Sequence, residues 1–213
     1  MNIVSISWVR NEGDILEEFV RHHCTLVDCM VIINHRSADN SLEILESLAK
    51  EGLPIEIRHD PSILHRQSEA LSALLHDVRR RYAPDWILPL DADEFIIPPG
   101  HQSLKDVLAQ HAQDRLWRLP CKGYVPTPQD DLAERHILQR IQHRRSREEI
   151  PWHKICIPTA ILKGDAWKVG YGNHHLLGSD NKALAATDMQ GIFLAHFPIR
   201  SPQQIATKVF CGF

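Results

Sequence analysis

From Ile3 to Leu90 short apolar runs alternate with amphipathic stripes, and each of three runs ends in a polar cluster. Ile3–Val9, Met30–Ile33, Ile55–Arg58 and Trp86–Leu90 are rich in apolar and β-branched residues and too short for helices, so they predict buried strands. Between them Ile15, Leu16, Phe19, Val20, His23 and Val27 fall on one helical face. Leu42, Leu45 and Leu48 mark a second helix, and Ala70, Leu71, Leu74, Leu75 and Val78 a third. Asn40 with Glu43 three residues on predicts a capping-box start for the second helix; Gly52 and Pro84 are stop signals. Strands alternating with helices predict an α/β fold, a mainly parallel sheet with helices on both faces. Ligands of such sheets bind beyond the carboxyl ends of the strands. Arg10–Glu12, Asn34–Ser41 and Asp91–Glu94 all fall at those ends and are expected to share one rim.

Past Pro98-Pro99-Gly100 the rhythm changes. A short helix around Leu104, Val107 and Leu108 is followed by strand-like pieces at Leu116–Leu119, Lys154–Ile157 and Ile192–Phe197. Ser201-Pro202-Gln203-Gln204 opens a last helix with a cap and a first-turn proline, and the chain is expected to stop short of further helices. The polar stretch from Pro126 to Pro151 carries Arg135, Arg140, Arg144, Arg145 and Arg147. With Glu134, Glu148 and Glu149 beside them these arginines predict a solvated face; the alternative is a flap that attracts a phosphorylated or acidic glycan.

Composition excludes several classes. With 43% hydrophobic and 24% charged residues the chain is neither disordered nor fibrous. A net charge of -3 gives no general field for nucleic acid, so an anionic ligand needs local chemistry or a metal. The cysteine count is 5, odd and without a Cys-x-x-Cys pair, and no run approaches the roughly 20 apolar residues of a membrane helix. A reduced, cytoplasmic protein without a transmembrane segment is expected.

Asp91-Ala92-Asp93 is the sharpest local signal. In extended backbone residues i and i+2 project to the same side, so both carboxylates can address one cation. Hard oxygen ligands suit Mg²⁺ or Mn²⁺, which bridge to phosphate oxygens. An isolated Asp-x-Asp is most often a solvated turn; this one follows an apolar strand at the predicted rim. In the cluster Asn34–Ser41, one of Asp39, Asn40 and Ser41 is expected to cap the next helix, which leaves Asn34 and Asp39 open to a nucleoside. His23, on the apolar stripe, reads as a packed core residue. His174 follows the glycine-rich Gly170–Asn173, where a histidine can accept a proton from an attacking hydroxyl.

Arg10-Asn11-Glu12, Ser37-Ala38-Asp39 and Asp85-Trp86-Ile87-Leu88-Pro89-Leu90-Asp91-Ala92-Asp93-Glu94-Phe95 resemble the family 2 glycosyltransferases of GT-A fold, and Ala195-His196-Phe197-Pro198-Ile199-Arg200-Ser201-Pro202 resembles a signature of one branch. The resemblance runs from Ile3 to about Val209, and Asn34-His35 stand where family members often carry two aspartates. It implies a metal-dependent transfer of sugar from a UDP- or GDP-sugar to a hydroxyl of a glycan or lipid-linked acceptor, with peripheral membrane association. Residues 1–100 would bind the donor and 101–213 the acceptor, as one domain. Asn11, Glu12, Asn34, Asp39, Asp91, Asp93 and Arg200 would bind the donor. Asp91, Asp93 and His196 would hold Mn²⁺ or Mg²⁺. His174, with Asp180 behind it, is the candidate base. A nucleotidyltransferase, or a catalytically silent nucleotide-sugar-binding module, is the alternative.

Overall fold

The computed structural model describes residues 1–210; Cys211 and Phe213 lie outside the described residues. In chain order the strands are β1 (Ile3–Val9), β2 (Cys29–Asn34), β3 (Ile55–His59), β4 (Trp86–Pro89), β5 (Glu94–Ile97), β6 (Leu116–Gly123), β7 (His153–Pro158), β8 (Lys168–Val169), β9 (Leu176–Leu177), β10 (Ala186–Asp188) and β11 (Phe193–His196). The helices are α1 (Leu16–His23), α2 (Ser41–Lys50), α3 (Gln67–Tyr82), α4 (Leu104–Ala109), α5 (Ile137–Arg140) and α6 (Pro202–Phe210).

The main sheet has the order β3-β2-β1-β4-β7-β6-β11-β5, with β10 also paired to β6. Its first half is parallel throughout: β1 lies between β2 and β4, and β3 extends β2. Beyond β4 it becomes mixed, because β7 runs antiparallel to both β4 and β6 and β5 runs antiparallel to β11. The period of two in β1 sorts its side chains. Ile3 and Val9 enter one core with Phe19 of α1 and Leu45 of α2; Val4, Ile6 and Trp8 enter the other with Leu71, Leu75 and Val78 of α3. Helices therefore cover both faces, as the alternation predicts. No helix among the described residues is long and apolar enough to cross a membrane.

Two local departures matter for the site. Glu94–Ile97 is a strand of its own, in register with β11 so that Glu94 pairs with His196 and Phe95 with Ala195. The amide of Phe197 donates to the carbonyl of Asp93 at 2.8 Å, which brings the end of β11 against the aspartate segment. The predicted capping box at Asn40 does not form. Asn40 has φ -78° and ψ 10°, not the extended backbone that turns a cap side chain inward, and makes no side-chain cap bond.

Candidate active site

Two loops at the carboxyl ends of β1 and β2 are tied together by side chains that bond to backbone. Asn11, at φ 55°, accepts from the Ala38 amide through Oδ1 at 2.8 Å, and its own amide donates to Ser37 Oγ at 3.1 Å. The Glu12 amide donates to Ser41 Oγ at 3.0 Å. Asp39 accepts from the Gly13 amide at 2.9 Å and from the Ser41 amide and hydroxyl at 3.0 and 2.6 Å. A Cβ on Gly13 would stand 2.0 Å from Asn40 Oδ1, so a larger residue there would push the Asn40 side chain aside.

A cleft of ≈ 470 Å³ opens beside these loops, at the ends of β1 and β4. Asn11, Glu12, Asp91, Asp93, His174 and His196 line it. Four residues expected in the site are elsewhere. Asn34 is buried and accepts from Ser37 Oγ at 2.6 Å. Asp39 is spent on the loop amides. Asp180 sits in an exposed turn, accepting from the Lys182 amide at 3.1 Å. Arg200 is buried behind the cleft wall rather than on it.

Arg200 has a different task. Its Nε and Nη2 donate to the two Asp14 oxygens at 2.8 and 2.9 Å, a fork-to-fork pair. Nη2 also meets Glu12 Oε2 at 2.5 Å, and Nη1 lies 3.6 Å from Asp93 Oδ2. One guanidinium thus neutralises three acids. On the cleft side of Glu12 and Asp93 stands Lys208 of α6, 3.4 Å from Asp93 Oδ2 and 3.7 Å from Glu12 Oε1. Burial raises the Glu12 carboxyl above the ordinary range, against the pull of Arg200. Burial would raise Asp93 too, but the nearby His196 imidazole, with the charges of Lys208 and Arg200, holds it well below that range. Its Oδ1 lies 3.7 Å from His196 Nε2. Burial works against the protonated form of His196; Asp93 outweighs it, and the imidazole is raised.

Asp91 belongs to a second cluster. Its Oδ2 accepts from Lys154 Nζ at 2.5 Å, and its Oδ1 from Gln67 Nε2 and Asn173 Nδ2 at 3.1 and 3.0 Å. Lys154, only 4% exposed, also lies 3.2 Å from Glu94 Oε1. Burial works against its charge, yet Asp91 and Glu94 keep it protonated and raise it. Both Asp91 oxygens are engaged by protein donors, so the expected three-residue set with Asp93 and His196 does not assemble. Among the described residues no group of three or more His, Cys, Asp or Glu side chains is arranged to hold a metal ion.

His174 lines the cleft with its tautomer set: Nδ1–H donates to the His153 carbonyl at 2.5 Å, which leaves Nε2 as the acceptor. Burial lowers its pKa. Lys154, Lys208 and Gln67 were not singled out from the sequence. Lys154 and Gln67 each carried a signal, Lys154 as the one charged residue inside Lys154-Ile155-Cys156-Ile157 and Gln67 as a polar residue in line with the stripe Leu71, Leu74 and Val78; Lys208, in line with Gln204, carried none.

A family model described as glycosyl transferase family 2 matches residues 6–161. The chain belongs to glycosyl transferase family 2. The match runs from β1 to the turn after β7, so it contains Asn11, Asp91, Asp93 and Lys154, while His196, Arg200 and Lys208 lie beyond it. The sheet and its helices are of the GT-A class that this glycosyltransferase family shares. Among solved structures, S. aureus TarS 1-349 in complex with UDP is 18% identical, with 63% of this chain and 40% of that chain covered and a TM-score of 0.48. The mannosyltransferase PcManGT from Pyrobaculum calidifontis, in complex with GDP-Man and Mn2+, is 16% identical over 61% of this chain and 36% of that one, with a TM-score of 0.43. HddC from Yersinia pseudotuberculosis is 10% identical over 97% of both chains, with a TM-score of 0.45. The family 2 chain therefore spans about two fifths of the TarS chain it matches. No curated protein matches it.

Proposed function

We propose that this family 2 chain transfers a sugar from a UDP- or GDP-sugar to an acceptor hydroxyl of a glycan or lipid-linked sugar. The observation that carries the proposal is the cleft wall where Asp93, His196 and Lys208 meet beside Glu12, at the strand ends where α/β sheets bind ligands. Lys208 supplies an ammonium for the diphosphate, and Arg200 keeps the acids behind it neutralised. Asn11 presents its side chain at the same wall, held by the Ala38 amide.

Asp93 Oδ1 and His196 Nε2 also fit a divalent cation as a two-residue set. Mg²⁺ and similar ions are commonly held by one or two protein ligands with substrate phosphates completing the shell. When bound, Mn²⁺ or Mg²⁺ supplies positive charge that offsets the charge growing on the departing diphosphate. In the same cleft, His174 Nε2 is the acceptor for the hydroxyl proton as the acceptor oxygen bonds to the anomeric carbon and the nucleoside diphosphate leaves.

Calorimetry with UDP and GDP, with Mn²⁺ and with chelator, on wild type and Asp93→Ala tests this. Mn²⁺ should strengthen binding, and Asp93→Ala should lose that benefit at a cost of about 2–5 kcal/mol, roughly thirtyfold to several-thousandfold in affinity. Equal affinity in all conditions would remove the site. Release of nucleoside diphosphate rather than pyrophosphate from a nucleotide sugar separates transfer from nucleotidyl transfer.

A further inference from the structure

The two acids of Asp91-Ala92-Asp93 face different partners, and Asp91 has partners in β7 and in one loop. Asp91 Oδ1 accepts from Asn173 Nδ2 at 3.0 Å, while Oδ2 holds Lys154 Nζ at 2.5 Å. The same ammonium donates to the carbonyl of Gly172 at 2.6 Å. Lys154 and Asp91 thus grip both residues at the tip of one loop, 170–175. We infer that Asp91 and Lys154 are a positioning pair that latches this loop, with Tyr171 and His174, against the cleft and so shapes the acceptor side of the site. The inference rests on the transfer proposed above.

The loop needs such a latch. Its flanks are secured independently: β8 pairs with β9, and α3 bonds Val169 from both sides, Ser72 Oγ accepting from its amide at 2.9 Å and Ser68 Oγ donating to its carbonyl at 2.5 Å. The tip closes on itself, the Gly170 amide donating to the His175 carbonyl at 2.8 Å and the Asn173 amide to the Gly170 carbonyl at 3.1 Å, and neither bond ties it to the rest of the fold. Gly172 and Asn173 lie at φ 65° and 61°, two successive left-handed residues, and for a residue with a side chain that conformation persists only where its surroundings hold it. Asn173 is fully buried, its Nδ2 on Asp91 and its Oδ1 without a protein partner. His153 and His174 complete the attachment, each ring donating to the other's carbonyl, at 3.0 and 2.5 Å. His153 directly precedes Lys154 in β7, so one strand delivers both contacts. A buried ion pair contributes little net stability when compared with well-packed apolar residues. Its use here lies in where it holds the loop.

The test uses Lys154→Met, Asp91→Asn and Asn173→Ala in the full chain, with Asp93→Asn as the contrast. Amide hydrogen exchange over residues 168–177 should quicken at least about tenfold in the first three variants, while β1 and β2 keep wild-type protection. A pair that served only overall stability would raise exchange in β6 and β7 as well. Affinity for UDP or GDP with Mn²⁺ should stay within about threefold in Asp91→Asn and fall beyond about thirtyfold in Asp93→Asn. Nitrogen NMR of the His174 imidazole should show the Nδ1–H form in wild type and a tautomer mixture in Lys154→Met. If Lys154→Met does not fold, Asn173→Ala removes the loop's end of the same grip and carries the exchange and NMR readouts. Unchanged exchange over 168–177, or an Asp91→Asn that loses nucleotide as Asp93→Asn does, overturns the inference. If wild type binds neither nucleotide, the transfer proposal fails while loop exchange still decides whether the latch exists.

Discussion

Gly172 has φ 65°, and a Cβ built on it would stand 2.7 Å from His174 Nε2. Only glycine gives the turn and leaves the imidazole its place. Gly172→Ala should cost about 1–3 kcal/mol of stability and displace the His174 ring. Transfer should fall while nucleotide affinity holds, which thermal unfolding and calorimetry together would show. Arg200 poses the opposite case, a buried charge that cannot be removed alone. Arg200→Met would leave Glu12, Asp14 and Asp93 without their shared guanidinium, a loss expected to cost about 3–5 kcal/mol in urea unfolding. Arg200→Lys should recover part of that loss, because an ammonium cannot match the Asp14 carboxylate as a planar fork does. A change below about 1 kcal/mol for Arg200→Met would mean that the three acids are solvated after all.

Among the helices, the capping box forms on α4 and not on α2. Ser103 Oγ accepts from the Asp106 amide at 3.1 Å and the Ser103 amide donates to Asp106 Oδ2 at 3.2 Å, so Ser103→Ala should lower stability by about 1 kcal/mol. Thermal or urea unfolding checks it, and the same change at Asn40, which makes no cap bond, should cost less. The contrast shows what the sequence conveys at this scale. β1 and β4 were legible because short apolar runs end abruptly in polar residues, and the helical stripes because their apolar spacing is regular. β5 was not, since its four residues directly follow Asp91-Ala92-Asp93 and pair with β11, about a hundred positions away in the chain. Asp93 and His196 were recognisable as candidates by motif; that β5 and β11 put them at one wall depends on that distant pairing. Asp39 and Asp91 were legible as acids at a rim. Which partner each takes depends on loops elsewhere, the Gly13 amide for one and Lys154 and Asn173 for the other, and no spacing within a motif reports that.

Buried titratable groups give the whole molecule a stability that depends on pH. His23 is fully buried between α1 and β5; its Nδ1–H donates to the Phe19 carbonyl at 2.9 Å, and Nε2 accepts from the Ile96 amide at 3.3 Å. Both nitrogens are satisfied in the neutral ring, and a second proton would face the Ile96 N–H. Burial, with a smaller contribution from His22, holds the His23 pKa down to about 3. An unfolded chain would protonate this histidine near its ordinary value of about 6.5. Between those values the unfolded state binds a proton that the folded state refuses, so the contribution is present above about 6.5 and is lost as pH falls toward 3. From pH 7 to pH 5 the loss from this group is about 2 kcal/mol. Glu12 and Glu94 act in the other direction. Burial raises their folded pKa values, so the stability linked to their protonation is lost as pH rises through those values. The total slope mixes both signs, and a variant separates them. His23→Gln retains one donor and one acceptor but cannot titrate. Urea unfolding of wild type and His23→Gln at pH 7 and pH 5 should show the wild-type advantage shrinking by about 2 kcal/mol at the lower pH. An advantage of the same size at both values would mean that the His23 ring protonates inside the fold, which its two hydrogen bonds should forbid.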